Sequence, residues 1–327
     1  MDDDSDPADE LPAGEPIHRR TLEVELAAES DGRRAMTARI VDRRLHGFTV
    51  AGAQTIGPGP IHDMTARIAV DVAARRIVAA EGAMALLAFY PSPLTRGQSC
   101  RDSLPNFVDL VGATVDATLV ASIRNAIGRE RGCYHLTSLV LAAVPLLLSA
   151  VDQPEPRGEP RSRTIELAAT AAGGRRVRFH GLLYDRFAPR DLRRARLAFT
   201  VAFEEMVLAE VSADAAPGLA KHTGAAGALA GLPLLGGFAR GAMERLGPLA
   251  DTSEILDLAL SLSAIATQSF VHVRPPEERP VAGQASRAQS TCWMWRVGGP
   301  LESLPSGRVD GTGPAFPERP HGEETEP

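Results

Sequence analysis

Apolar and polar residues alternate along TLEVELAA (21–28), AMTARIVD (35–42) and ARIAVDV (66–72), the period-two signature of strands with one buried face. IVAAEGAMALLAF (77–89) extends the same sheet. From Ser103 the pattern changes. Leu104, Phe107, Val108, Val111 and Val115 recur near three- and four-residue spacing, and Leu119 to Ile127 continues an apolar helical face. A helix over 133–150 follows, with Pro145 set to end or kink it. Strands first and helices afterwards define an α+β fold, a small antiparallel sheet covered by helices.

That order occurs twice. Arg20-Thr21-Leu22-Glu23 returns as Arg163-Thr164-Ile165-Glu166, and Asp42-Arg43 as Asp185-Arg186, both 143 residues later. ARIAVDVAARRIVAAEG (66–82) returns as ARLAFTVAFEEMVLAEV (195–211) at an offset of 129, and Leu110-Val-Gly as Leu229-Ala-Gly at 119. The shrinking offsets describe two tandem copies, the second shortened and degenerate. The expected layout is an acidic tail (1–16), copy one (17–152), a Pro-rich linker (153–162), copy two (163–274), an extension (275–302) and a final tail (303–327). Both tails have the composition of disordered chain. The Ala/Gly/Leu-rich stretch 224–247 is expected to pack against copy one.

Composition narrows the class without naming a function. Hydrophobic residues make up 44% and charged residues 23%, which is enough apolar material for a real core. No apolar run reaches the roughly 18 residues of a membrane span, and the acidic start lacks the features of a signal peptide, so a cytoplasmic protein is expected. The net charge of −6 and the lack of aromatics interleaved in the basic stretch 186–197 argue against a nucleic-acid partner. Gly57-Pro-Gly-Pro60 lacks the lysine of a phosphate loop, and no Gly-x-Ser-x-Gly elbow is present.

The chemistry-bearing residues lie in copy one: His62 in GPGPIHDM, Cys100 in RGQSC, and Cys133 with His135 in GCYHL. Two imidazoles and two thiols suit a tetrahedral zinc site gathered from three segments. Cys133 stands at a helix entry, where exposed N–H groups favour a thiolate. Asp63 is a candidate fifth ligand, a carboxylate orienting an imidazole, or a general base. Copy two keeps the apolar pattern and loses the donors together: Cys133 and His135 align with Thr252 and Glu254, Cys100 has no counterpart, and His62 falls in a gap or at Asp191.

The string GPGPIHDMTARIAVD, then Cys100, LVGATV (110–115) and GCYHLTSLV (132–140), resembles the bacterial domain of unknown function 2889 family over about residues 18–150. That resemblance implies no activity. It adds Cys292, in STCWMWR, as a further ligand or reactive thiol. The order of these motifs is also similar, more distantly, to iron–sulfur scaffold proteins of the NifU/SufE-like fold. That likeness implies His62 in place of the first scaffold cysteine, Asp63 as the scaffold aspartate, Cys100 as the middle cysteine, and Cys133 with His135 as the late pair. Three readings follow. The first is a zinc-binding carrier, assembly factor or regulatory protein, with an iron–sulfur cluster as the alternative cofactor. The second is a metal-dependent hydrolase or lyase using Asp63 as base. The third is a metal-free interaction module for an unidentified protein or small molecule.

Overall fold

In the computed structural model, residues 13–29, 32–46, 48–50, 54–93, 95–152, 161–188, 191–202, 205–215, 223–234, 237–247, 253–269 and 293–300 are described. Most of both tails, of the linker and of the extension 275–302 therefore lies outside the described residues, as does Cys292.

The alternating stretches form the long strands β1 (Pro16–Ala28), β2 (Arg33–Arg44), β5 (Gly59–Asp71) and β6 (Arg76–Leu86), with a short pair β3 (Phe48–Val50) and β4 (Gln54–Ile56) between β2 and β5. The second half repeats the meander as β7 (Arg161–Ala171), β8 (Arg176–Ala188), β9 (Asp191–Ala202) and β10 (Leu208–Ala215). All long-strand neighbours are antiparallel.

Two separate small sheets were expected. Instead β1 pairs with β7, giving one eight-stranded sheet in the order β10-β9-β8-β7-β1-β2-β5-β6. The physical reason is the edge: left alone, each meander would present β1 or β7 as a long strand with an unpaired row of N–H and C=O groups. The pairing is symmetric about Leu22–Ile165, with Arg20 opposite Leu167 and Val24 opposite Arg163. β7 begins at Arg161, inside the stretch read as linker.

One face of the sheet is covered. Leu22, Val24, Met36, Ile40, Met64, Ile68, Ile165, Phe179 and Phe199 are buried there. The helices α1 (Leu119–Ile127), α2 (Tyr134–Asp152), α3 (Thr223–Ala226), α4 (Phe238–Leu246) and α5 (Ser253–Ser269) supply the cover. α2 lies on β1, β2, β5 and β7, and α5 on β1, β7, β8 and β9. α2 is long and apolar enough to cross a membrane by composition, yet Leu139, Val140, Ala143, Leu146 and Leu147 are buried. Pro145 does not end it, because the helix continues to Asp152. The segment 224–247 packs on β10 and α5 of its own half.

Before α1 the expected α-helix is a run of 3-10 turns, Cys100–Leu110. Three residues per turn puts Phe107 and Leu110 inward and leaves Val108 and Val111 exposed, unlike the α-helical reading of the same residues. Ser99 caps its start by accepting from Arg101 N, while Asp102 accepts from Ser99 N. Phe107 packs against Gly82, where a Cβ would approach Phe107 Cε2 to 2.9 Å.

Candidate metal centre

Strand alternation brings a polar cluster to the covered face. β1 contributes His18 and Arg20, β2 contributes Asp42 and Arg44, and β5 contributes His62 and Met64. Register does the rest, since Asp42 lies opposite Arg20 on one side and opposite His62 on the other. The start of α2 closes the cluster from above with Cys133 and His135. Gly132 makes that approach possible: a Cβ there would lie 1.7 Å from the Ile127 carbonyl oxygen.

Asp42 is the hub and is fully buried. Arg20 grips it with a fork, Nε to Oδ1 at 2.5 Å and Nη2 to Oδ2 at 2.8 Å. His18 Nε2 lies 3.1 Å from Oδ1, His62 Nδ1 3.0 Å from Oδ2, and His135 Nε2 3.5 Å from Oδ2. The His62 and His135 rings meet tilted at 34°, with centroids 3.9 Å apart. Cys133 Sγ lies 3.8 Å from His135 Nδ1 and 3.9 Å from Met64 Sδ.

Burial would raise the Asp42 carboxyl, but the Arg20 charge and the hydrogen bonds from His18, His62 and Arg20 hold it well below the usual carboxylate range. Burial pushes His135 well down, helped by the neighbouring His62 and the Arg20 charge, and burial likewise lowers His18. Arg44 is brought down to about 10 by burial, against the pull of Asp42. An ionised Asp42 only accepts hydrogen bonds, so it fixes the tautomers around it. His62 therefore donates from Nδ1 to Asp42 Oδ2, and His135 turns Nδ1 toward Cys133 Sγ. His18 Nδ1 is buried with no hydrogen-bond partner among the described residues.

Of the residues singled out in the sequence, the fold brings His62 and His135 together with Asp42, their donor atoms all within 4.8 Å of one another. Cys133 adjoins this group through His135. Cys100 is buried at the start of the 3-10 run and is not one of the three. Asp63 projects to the opposite face of β5, where Arg39 holds it with two hydrogen bonds of 2.9 and 2.6 Å. It is therefore turned away from Asp42, His62 and His135.

The second half carries a counterpart. Arg163 forks onto Asp185 at 2.7 and 2.6 Å, as Arg20 does onto Asp42. Opposite Asp185 stands Arg193, so His62 corresponds by register to Arg193 rather than to Asp191 or a gap. Arg193 Nη1 donates to Glu254 Oε1 at 3.1 Å, the pair standing where His62 meets His135. Arg163 also donates to Asp257 Oδ2 at 2.7 Å and to the Ala142 carbonyl at 3.0 Å. One half gathers imidazoles round its carboxylate, and the other gathers two arginines among three carboxylates.

Residues 18–148 match the model of a family described as Protein of unknown function (DUF2889). The matched segment holds His18, Arg20, Asp42, His62, Cys133 and His135, and it agrees with the motif resemblance in the sequence. No curated protein and no solved structure matches the chain.

Proposed function

We propose that this is a cytoplasmic metal-binding protein, acting as a carrier, an assembly factor or a regulatory subunit, whose first half holds one transition-metal ion. The second half, in this reading a degenerate copy of the first, serves as scaffold. The carrying observation is the convergence of Asp42, His62 and His135 in a buried site. Asp42 already accepts four hydrogen bonds from Arg20, His18 and His62, so its role is to hold the rings, and the rings bind the ion. Zinc is the general expectation for imidazole and thiolate donors together. A single ion suits one thiol beside two imidazoles better than a cluster that needs several thiolates.

The test is elemental analysis of the full chain purified without a histidine tag, with His62→Ala and His135→Ala beside it. One equivalent of a transition metal is expected in the parent and its loss in both variants. A metal-free parent from a metal-replete preparation overturns the proposal.

A further inference from the structure

We propose that the ion of this site is copper(I), held by Cys133 Sγ, Met64 Sδ and His135 Nδ1, with His62 beside them. This rests on the metal-binding reading above and replaces its general expectation of zinc. The three donors come from two short pieces of chain, His62-Asp63-Met64 and Cys133-Tyr134-His135, brought face to face by β5 and the start of α2.

The first argument is donor softness. Met64 is fully buried on the covered face of β5 and its sulfur meets the Cys133 sulfur. Zinc takes thiolate, imidazole and carboxylate donors, whereas a thioether beside a thiolate suits copper(I). The distances fit a shared ion. Bonds of about 2.0 Å to nitrogen and 2.3 Å to sulfur, spread in a trigonal shell, put sulfur about 3.7 Å from nitrogen and about 4.0 Å from a second sulfur. The structure has Cys133 Sγ at 3.8 Å from His135 Nδ1 and at 3.9 Å from Met64 Sδ.

The second argument is charge. Arg20 and Asp42 are both buried and pair with one another, so their charges already balance. A divalent ion with one thiolate adds a positive charge to a buried site, which is costly. Copper(I) with one thiolate adds none. On binding, the Cys133 Sγ–H bond gives way to an Sγ–Cu bond and the proton leaves to solvent. No electron is transferred.

The test uses the full chain under anaerobic conditions, titrated with copper(I) against a competing chelator and, separately, with zinc. One copper(I) per chain is expected. Met64→Leu should weaken copper(I) by about 10- to 100-fold, at least what losing an outer partner of a metal site costs, and leave zinc affinity unchanged. Copper-edge X-ray absorption on selenomethionine-substituted protein reads the same contact without a mutation, and a copper–selenium shell is expected. If Met64→Leu leaves copper(I) binding unchanged and no selenium shell is present, the copper assignment is wrong. Stoichiometric zinc would then leave the metal-binding reading standing. If neither ion binds, both readings fall.

Discussion

Asp42→Asn and Asp185→Asn make the same change at corresponding points of the two halves, and the structure assigns them different losses. Each leaves a buried arginine without its carboxylate, a change that costs about 3–5 kcal/mol when no other partner is present. Among the described residues Arg20 donates only to Asp42, so Asp42→Asn belongs at about 4–5 kcal/mol. Arg163 keeps Asp257 and the Ala142 carbonyl, so Asp185→Asn should cost less, about 2–3 kcal/mol. Urea unfolding of the metal-free chain, followed by far-ultraviolet circular dichroism, gives both numbers if the slope is unchanged between variants. Metal affinity supplies an independent reading: a drop of about 10- to 100-fold is expected for Asp42→Asn and none for Asp185→Asn. Equal stability losses, or a loss of metal affinity in the Asp185 variant, would refute the assignment of hub and scaffold.

Three further outcomes follow from the same contacts. Arg163→Met should destabilise more at pH 7.5 than at pH 5. Burial raises the Asp185 carboxyl above its unfolded value, and without the arginine it rises further, so the native state takes up a proton and recovers stability as pH falls through that raised value; a pH-independent loss would contradict this. Gly132→Ala meets the Ile127 carbonyl and should cost about 1–3 kcal/mol or more while displacing Cys133 and His135, measurable as lost metal affinity together with a lower melting temperature. Residues 1–152 expressed alone should sediment as a dimer through antiparallel β1–β1 pairing, with Thr21 of one copy opposite Glu23 of the other as Thr21 lies opposite Glu166 here. A stable monomer would count against that use of the edge.

The strands were legible because each buries one face, so alternation along 21–28, 35–42 and 66–72 gave their extents and sides. The joining of two meanders was not, since nothing in β1 or β7 distinguishes an edge strand from a central one. His62 and His135 were found as donors by residue type. Asp42 and Arg20 were noticed only as markers of the repeat, because an aspartate in IVDRR reads as surface alternation until Arg20 is seen across the ladder. Their recurrence as Asp185 and Arg163 is the available signal, a buried ion pair present in both halves. His18 and Met64 carried none, since one precedes two arginines in a polar stretch and the other alternates like any core residue. Adjacency in sequence makes Asp63 look like a partner of His62, yet neighbours along a strand point to opposite faces.

The ladder also fixes how far apart the two polar clusters stand. From Asp42 on β2 to Asp185 on β8 there are three strand spacings, about 14 Å, and four residues along the strand, about another 14 Å. The separation is therefore about 20 Å, across which two unit charges interact by only about 0.8 kcal/mol at a typical protein dielectric response. No ion can be shared over that gap, and a charge gained or lost in one cluster barely registers in the other. The imidazoles round Asp42 and the arginine and glutamate beside Asp185 are therefore electrostatically independent of one another.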